Sequence, residues 1–342
     1  MADNDRRSPR RRFLAQSMRC AGWLIGGLSL APAAARCAFA AVARDQVVAE
    51  EPFARVERVA DGVWAVVSTP LKDGGRQFAT TSNGGIIAGR EAVVIVEGYY
   101  SEDGAAWVAR QARELTGREP THAVVTHYHA DHTRGLDGLR AGRDEGAGAL
   151  SLLATATTRE LLVETEEPVV PDNEISAEGA EIDLGGRRLR LVPRLGHTRS
   201  DVTVHLDEPQ VVWCGDLVWN GMFPNYVDAV PSLLTEHCAA LLGRRGTTYV
   251  PGHGDVADAG ALDDYLALIR DLEAAGRRAV EQGLPPAEAA AAYRIPQSIE
   301  RWTMFSPTYV ERAFEAWQRE LGGTDASAGS RVSPPSGSRR CR

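Results

Sequence analysis

Short apolar runs separated by turn-forming residues dominate the first third of the chain, and this pattern predicts β-strands. Four runs come first, and the Asp61-Gly62 turn and the turn at 89–91 divide them into hairpins. The predicted strands cover residues 55–59, 63–67, 82–87 and 92–96. A helix is predicted over 102–115, because its apolar residues recur at helical spacing and Gly117 can end it.

The rest of the chain alternates strand and helix patterns in the same way. Further strands are predicted at 123–125, 150–154, 180–184, 188–192, 201–206, 210–214 and 248–250, with a loop at 164–179. Helices are predicted near 135–139 and at 157–163, 232–242, 257–282, 286–293 and 307–321. Strands and helices thus recur in two similar halves. This order predicts an α/β protein, an αββα sandwich of two facing sheets with extra C-terminal helices.

The amino terminus has the pattern of a signal peptide. A cluster of arginines precedes an apolar run at 21–35, and candidate cleavage sites lie between Ala40 and Arg44. The segment Arg10-Arg11-Arg12-Phe13-Leu14 also resembles the twin-arginine export motif. The apolar run is short and contains Pro32, so we expect no stable membrane anchor. The expected location is the periplasm.

Composition sets the domain plan and excludes one class of partner. We expect residues 1–43 to be the signal peptide, 44–54 a linker, 55–321 one domain and 322–342 a disordered tail rich in Gly, Ser and Pro. Removing residues 1–43 takes away seven arginines and two aspartates, which lowers the formal net charge from −8 to −13. Nucleic acid is therefore not an expected partner. A small-molecule substrate is expected, and the oligomeric state is left open.

The cysteines do not form a disulfide framework. Five are present, and Cys20 and Cys37 would leave with the signal peptide. The other three have no metal-like spacing. Cys214 and Cys238 could pair after export, and the sequence leaves that pairing open.

The most informative stretch places four donor side chains within six residues. It reads Thr126-His127-Tyr128-His129-Ala130-Asp131-His132 and follows a short apolar strand. Imidazole and carboxylate groups suit Zn²⁺, Fe²⁺ or Mn²⁺. The stretch therefore predicts a metal site at the end of a strand.

The His-x-His-x-Asp-His pattern resembles the signature of the metallo-β-lactamase superfamily. Three later segments resemble the remaining ligand motifs of that superfamily, in the same order: Gly196-His197, Gly215-Asp216 and Gly252-His253-Gly254. The resemblance implies that His127, His129 and His197 hold a first metal. It implies that Asp131, His132 and His253 hold a second, with Asp216 bridging the two. Two Zn²⁺ ions are the expected cofactors, and Fe or Mn would also suit the donors.

The resemblance implies a binuclear zinc-dependent hydrolase, with residues 55–321 as its hydrolase domain. A metal-bound hydroxide would attack the acyl carbonyl of an ester, lactone or thioester, and Asp131 would orient the nucleophile or carry a proton. The bridging Asp216 favours the glyoxalase II-like and lactonase-like branch. The alternatives are a periplasmic β-lactamase, a mononuclear iron dioxygenase of the same fold and a non-catalytic binding protein.

Several further residues are candidates for lining the substrate pocket. The candidates are Tyr128, between two ligands, and three residues that follow Asp216: Asn220, Phe223 and Tyr226. The aromatic side chains could instead belong to the core. The other three histidines, His122, His205 and His237, are expected to lie outside the metal site.

The export motif gives the first testable prediction. Replacing Arg10 and Arg11 with Lys should leave uncleaved precursor in the cytoplasm, because the twin-arginine route reads the arginine pair itself. Cell fractionation followed by immunoblotting measures the two pools. Unchanged export of the double variant would show that another route carries the protein.

Overall fold

Apolar residues of the amino-terminal half assemble into one twisted sheet of eight strands. The computed structural model describes residues 46–69, 79–243, 246–300 and 302–322. The eight strands are β1 (Val47–Glu51), β2 (Ala54–Ala60), β3 (Val63–Ser68), β4 (Gly84–Ala88), β5 (Val93–Val96), β6 (His122–Val124), β7 (Ser151–Thr155) and β8 (Asn173–Ile175). They lie side by side in chain order, antiparallel from β1 to β5 and parallel from β5 to β8. The parallel strands therefore end at the same edge of the sheet.

The second half forms a smaller sheet of five strands. Its strands are β9 (Ala180–Asp183), β10 (Arg188–Pro193), β11 (Val202–Leu206), β12 (Val211–Trp219) and β13 (Thr248–His253). They are ordered β13-β12-β11-β10-β9, antiparallel except for the parallel pair β12 and β13. Every residue of β12 is buried, because helices cover one face of this strand and the other sheet covers the opposite face.

Seven α-helices connect and cover the strands in the described part of the chain. They are α1 (Glu102–Thr116), α2 (Ala130–Thr133), α3 (Ala156–Glu164), α4 (Pro231–Leu241), α5 (Ala259–Glu281), α6 (Pro286–Ala292) and α7 (Thr308–Gly322). Helix α1 begins where Ser101 Oγ accepts a hydrogen bond from the Gly104 amide and ends at Gly117 in the left-handed region. Asp258 caps α5 in the same way as Ser101 caps α1.

Three apolar clusters confirm the predicted αββα layering. Between the sheets, Val94 and Ile87 of the first sheet pack in one cluster with Trp213 of the second. The Trp213 indole N–H also donates to the Gly84 carbonyl across this interface, at 3.2 Å. Helix α1 packs on the outer face of the first sheet, and α4, α5 and α7 pack on the outer face of the second. The extra C-terminal helices are therefore part of one outer layer.

The structure differs from the sequence predictions in several segments. Residues 47–51 of the predicted linker form β1, paired along β2, and residues 173–175 of the predicted loop form β8, paired with β7. The helix predicted near 135–139 is a 3₁₀ helix, Leu136–Arg140. The predicted signal peptide and the tail beyond residue 322 lie outside the described residues.

Two further features concern cysteines and membranes. Cys214 and Cys238 are both buried and both free, so the pairing that the sequence left open is not formed in this structure. None of the helices in the described ranges combines the length and the apolar character needed to cross a bilayer.

Candidate metal centre

The first group of candidate ligands lies on the loop that follows β6. The short helix α2 begins directly after His129, so His127 and His129 project from a tight strand-to-helix turn, and Asp131 and His132 project from the helix itself. Glu97, which follows β5, anchors this turn: its carboxylate accepts from the Thr126 hydroxyl at 2.6 Å and from the Thr126 amide at 3.2 Å. The adjacent parallel strand therefore fixes the position of the ligand loop.

The remaining ligands come from the second sheet, at the same end of the sandwich. His197 lies in the loop between β10 and β11, Asp216 lies within β12, and His253 is the last residue of β13. Gly252 permits the close approach of the last two strands. A Cβ atom at that position would lie 1.9 Å from Asp216 Oδ1, so any larger residue would displace the carboxylate.

The structure gathers all seven predicted ligand residues into two adjoining groups. The first contains His127, His129, His197 and Asp216, and the second contains Asp131, His132 and His253. Within each group the donor atoms lie within 4.8 Å of one another. Their role as metal ligands stays a prediction, but their convergence at one site is a property of the fold.

Asp216 lies between the two groups and presents one oxygen to each. Its Oδ2 is 3.2 Å from His197 Nε2. Its Oδ1 is 3.2 Å from His132 Nε2 and 3.3 Å from His253 Nε2. The side chain is only 3% exposed, so water does not compensate its charge. This is the position that a carboxylate must occupy to contact two cations.

The donor atoms of the two groups are incompletely hydrogen-bonded to one another, and they are of the types that bind metal ions. Several buried atoms in the described residues make no hydrogen bond of normal geometry, although carboxylate oxygens lie near some of them: His127 Nε2, both ring nitrogens of His132, His197 Nδ1 and Asp216 Oδ1. Buried polar groups are normally hydrogen-bonded, so a cluster of such atoms favours an additional partner. Imidazole nitrogen and carboxylate oxygen are the ordinary ligands of zinc, and one or two divalent cations would satisfy this set.

The electrostatics of the cluster also suit cation binding. Burial lowers the pKa of His127 well below its ordinary value and lowers that of His197 to about 3, so both rings are neutral and can coordinate. Burial acts in the same direction on His253, but Asp216 and Asp131 outweigh it and raise its pKa to about 9. The carboxylates that hold this proton would attract a divalent cation more strongly.

Asp228 is part of the site and was missed by sequence reasoning. It lies between β12 and α4, and its Oδ2 accepts from the Tyr128 hydroxyl at 2.6 Å and from His129 Nε2 at 3.0 Å. This contact leaves His129 Nδ1 directed toward His197 Nε2, at 3.0 Å, inside the first group. A carboxylate behind a metal-binding imidazole fixes its tautomer and orientation. A single Asp in a loop carries no sequence signal of this role.

Glu97 is the second missed residue. It is almost fully buried, and one carboxylate oxygen lies 3.0 Å from His132 Nδ1. Its backbone φ of 82° places it in the left-handed region, where non-glycine residues are uncommon. A charged residue directly after the apolar run of β5 was the available signal.

The four candidate pocket residues lie in different parts of the structure. Tyr128 lies at the site, bonded to Asp228. Asn220 stabilises the loop after β12. Its backbone N–H donates to the His253 carbonyl at 3.0 Å, and its side-chain Nδ2 donates to the Asp255 carbonyl at 2.9 Å. Phe223 and Tyr226 are 2% and 1% exposed and belong to the apolar cluster under the C-terminal helices, the core alternative that the sequence had left open. They are buried because the C-terminal helices cover this segment.

Trp219 is an aromatic residue that contacts two of the candidate ligands. Its ring centroid is 4.2 Å from that of His253 and 6.4 Å from that of His197. Phe305 and Tyr309 pack against its edge, at 6.3 Å each. The C-terminal segment thus supports the metal centre through one indole ring. The other histidines lie outside both ligand groups: His122 bonds to Thr121, His205 to Thr203 and His237 to the Leu195 backbone.

Comparison with known proteins places this geometry in a family. The model of the metallo-beta-lactamase superfamily matches residues 79–276. A metallo-beta-lactamase type 2 of Bacillus cereus is 26% identical over 200 residues, 56% of this chain and 74% of the relative. A human protein named acyl-coenzyme A thioesterase MBLAC2 is 26% identical over 133 residues, 33% of this chain and 46% of the relative.

Two further comparisons extend the picture. The beta subunit of 2,4-dinitroanisole O-demethylase from Nocardioides sp. (strain JS1661) is 26% identical over 228 residues, 64% of this chain and 69% of the relative. The solved structure of a metallo-beta-lactamase from Pontibacter korlensis superposes with a TM-score of 0.54 at 22% identity, covering 64% of this chain and 99% of that one. It shows the same fold. Because the family match spans more than half of the chain and includes every candidate ligand, the chain belongs to the metallo-beta-lactamase superfamily.

Proposed function

We propose that this hydrolase of the metallo-beta-lactamase superfamily is binuclear and zinc-dependent, and that it cleaves an acyl bond in an ester, thioester or lactone. The position of Asp216 carries the proposal. One of its oxygens faces His197 and the other faces His132 and His253, so a single buried carboxylate serves both ligand groups. A site with two complete groups and a shared carboxylate is suited to two cations rather than one.

The ligand residues have clear assignments under this proposal. His127, His129 and His197 would hold one zinc, Asp131, His132 and His253 the other, and Asp216 would contact both. When bound, two zinc ions would supply a nucleophile at neutral pH and polarise the carbonyl of the substrate. The chain's own groups must then admit the substrate, orient it and accept protons.

Exposure of the side chains indicates where the substrate enters. The side chains of His127, His132 and His197 are at most 1% exposed, whereas that of Asp131 is 26% exposed and that of Asp228 is 34% exposed. The open side of the centre is therefore formed by Asp131, Asp228 and the neighbouring Tyr128. Asp131 is the ligand best placed to hold a proton near the substrate, and Tyr128 can present its hydroxyl there.

The acyl substrate class rests on two observations. The shared carboxylate adds negative charge and occupies the floor of the site, which suits esters, thioesters and lactones better than a β-lactam that needs an open metal face. One of the relatives is named as a thioesterase, although the chain spans less than half of its length. The proposed location remains the periplasm, on the basis of the amino-terminal pattern.

A β-lactamase is the second candidate, favoured by the Bacillus cereus relative, which the chain covers over 74% of its length. The two candidates differ in the substrate that gives the highest kcat/KM. An iron dioxygenase differs from both in its metal content, with one iron in place of two zincs. Metal analysis and a substrate panel on the same protein preparation therefore separate all three.

The ligand assignment predicts the effect of removing one imidazole. His127→Ala or His197→Ala should lower bound zinc and remove nearly all turnover, because an incomplete donor set binds zinc weakly. Elemental analysis and steady-state rates provide the measurements. His205→Ala is the matched control, since His205 bonds to Thr203 away from the ligands, and it should keep both metals. Full metal content in either ligand variant would refute the assignment.

The bridging role predicts a distinct result for Asp216. Asp216→Ala should lower metal content toward one ion per chain and reduce hydrolysis by roughly 10²-fold or more, in line with the loss of a two-metal clamp. The wild type should hydrolyse some ester, thioester or lactone with a kcat/KM well above that for any β-lactam. A highest kcat/KM on penicillins or carbapenems would favour the β-lactamase candidate instead.

Asp228 should act as a positioning residue for His129. Asp228→Asn retains the size of the side chain but weakens the hydrogen bond to His129 Nε2, and we expect a loss of about 10- to 100-fold in metal affinity or activity. Competition with a chelator measures zinc affinity independently of turnover. Asp207→Asn is the control, because Asp207 pairs with Arg190 on the surface, away from the site. Equal behaviour of the two variants would argue against a positioning role.

A further inference from the structure

A second cleft lies on the molecule, away from the ligand groups, and arginine side chains line it. We call it the arginine cleft, a cavity of about 620 Å³. Its lining includes four arginines and one carboxylate, those of Arg58, Arg90, Arg118, Arg187 and Asp61. None of these residues belongs to the candidate metal centre.

The arginine cleft lies at the opposite end of the sandwich from the metal centre. Its walls come from the β2–β3 turn, the β4–β5 turn, the end of α1 and the β9–β10 turn. Residues 89–90 precede β5, whereas Glu97, which contacts His132, follows the same strand. Turns from both sheets meet here, so a ligand in this cleft would contact both halves of the fold.

Backbone carbonyls hold three of the four guanidinium groups in place. Arg118 donates to the carbonyls of Arg90, at 2.7 Å, and of Gly89. Arg90 Nε donates to the Gly185 carbonyl at 3.2 Å, and Arg187 Nη1 donates to the Asp61 carbonyl at 2.9 Å. These bonds order the side chains before any ligand arrives, which lowers the entropic cost of binding. A guanidinium has five N–H donors, so each group retains donors beyond those bonds.

The charge balance of the lining is strongly positive. Four arginines face one carboxylate, that of Asp61, which accepts from Arg58 at 2.9 Å. Two further carboxylates adjoin the lining without being part of it: that of Glu91 packs beside Gly185, and that of Asp183 accepts a hydrogen bond from the Gly185 amide at 2.9 Å. The chain as a whole has a net charge of −8, so this concentration of positive charge is a local feature. A cleft lined by one sign of charge attracts ligands of the opposite sign.

We propose that the arginine cleft binds a phosphate dianion, either free or as the ester of a small organic molecule. Guanidinium forks match the oxygens of phosphate, and several of them can share its three or four oxygens and two charges. A monocarboxylate would pair with one guanidinium group and leave most of the positive charge of the cleft uncompensated. The edges of Trp64 and Leu115 add apolar surface to the lining, which suits the organic part of an ester.

Isothermal titration calorimetry on the metal-loaded protein tests the proposal, at constant ionic strength, with inorganic phosphate and phenyl phosphate as probes. Saturable binding with one site per chain is expected for at least one probe, and tighter binding of phenyl phosphate would assign the site to esters. The double variant Arg90→Ala and Arg187→Ala should bind at least about tenfold more weakly, since each lost charge-assisted hydrogen bond has about that effect.

The double variant Arg188→Ala and Arg190→Ala is the control, because it removes the same two positive charges. Arg188 pairs with Glu181 and Arg190 with Asp207, and both side chains lie outside the cleft lining. The control variant should bind phosphate as the wild type does. Equal weakening in the two double variants would show that only diffuse charge attraction is lost and would overturn the proposal. Unchanged binding in the cleft double variant would place the anion elsewhere, the metal centre included, and would also overturn it.

A gain-of-affinity variant covers the case in which the cleft double variant does not fold. Asp61→Asn removes the one carboxylate of the lining and releases Arg58, so it should bind phosphate several-fold more tightly. Unchanged or weaker binding in Asp61→Asn would contradict the proposal. So would the absence of binding of both probes to the wild type across the millimolar range.

Discussion

One buried carboxylate, that of Asp216, sets the central constraint on this structure. It lies at 3% exposure among imidazole rings, where an ionised group is stable only if cations or protons compensate it. The surrounding rings meet that need only in part, since several of their nitrogens make no hydrogen bond of normal geometry. The cluster is therefore incompletely paired within the protein, and divalent cations would compensate the remaining charge.

The two-sheet fold brings the candidate ligands together around Asp216. Parallel strands end at one edge of a sheet, so the loops after β5, β6, β12 and β13 all reach the same end of the molecule. Each sheet contributes part of the donor set, and neither could complete it alone. Packing of the two sheets, with Trp213 and its neighbours between them, thus determines the geometry of the site as well as the stability of the fold. A substitution in the core between the sheets would therefore change the positions of the candidate ligands.

Prediction from the sequence succeeded where the position of a residue follows from a local pattern. The motifs of the candidate ligands follow apolar strands, and periodicity predicts those strands well, so the αββα order and the convergence of the seven candidate ligands were both accessible. Contacts between residues that are distant in the sequence could not be predicted in this way. Asp228 acts on His129 across 99 positions, and no local pattern distinguishes it from an ordinary surface Asp. The burial of Phe223 and Tyr226 likewise depends on helices that come much later in the chain. Strand β1 depends on pairing with β2, since its own residues alternate weakly.

The same distant contacts connect the shape of the entrance to the position of the ligands. Asp228 accepts hydrogen bonds from Tyr128, on the open side of the centre, and from His129, inside the first ligand group. Any substrate that displaces the Tyr128 hydroxyl therefore acts on the carboxylate that orients a ligand imidazole. Coupling of this kind needs no movement of the sheets, because the two contacts share a single oxygen atom. The loop between β12 and α4 is thus a place where substrate shape and metal affinity can be adjusted together, while the buried donors around Asp216 stay fixed.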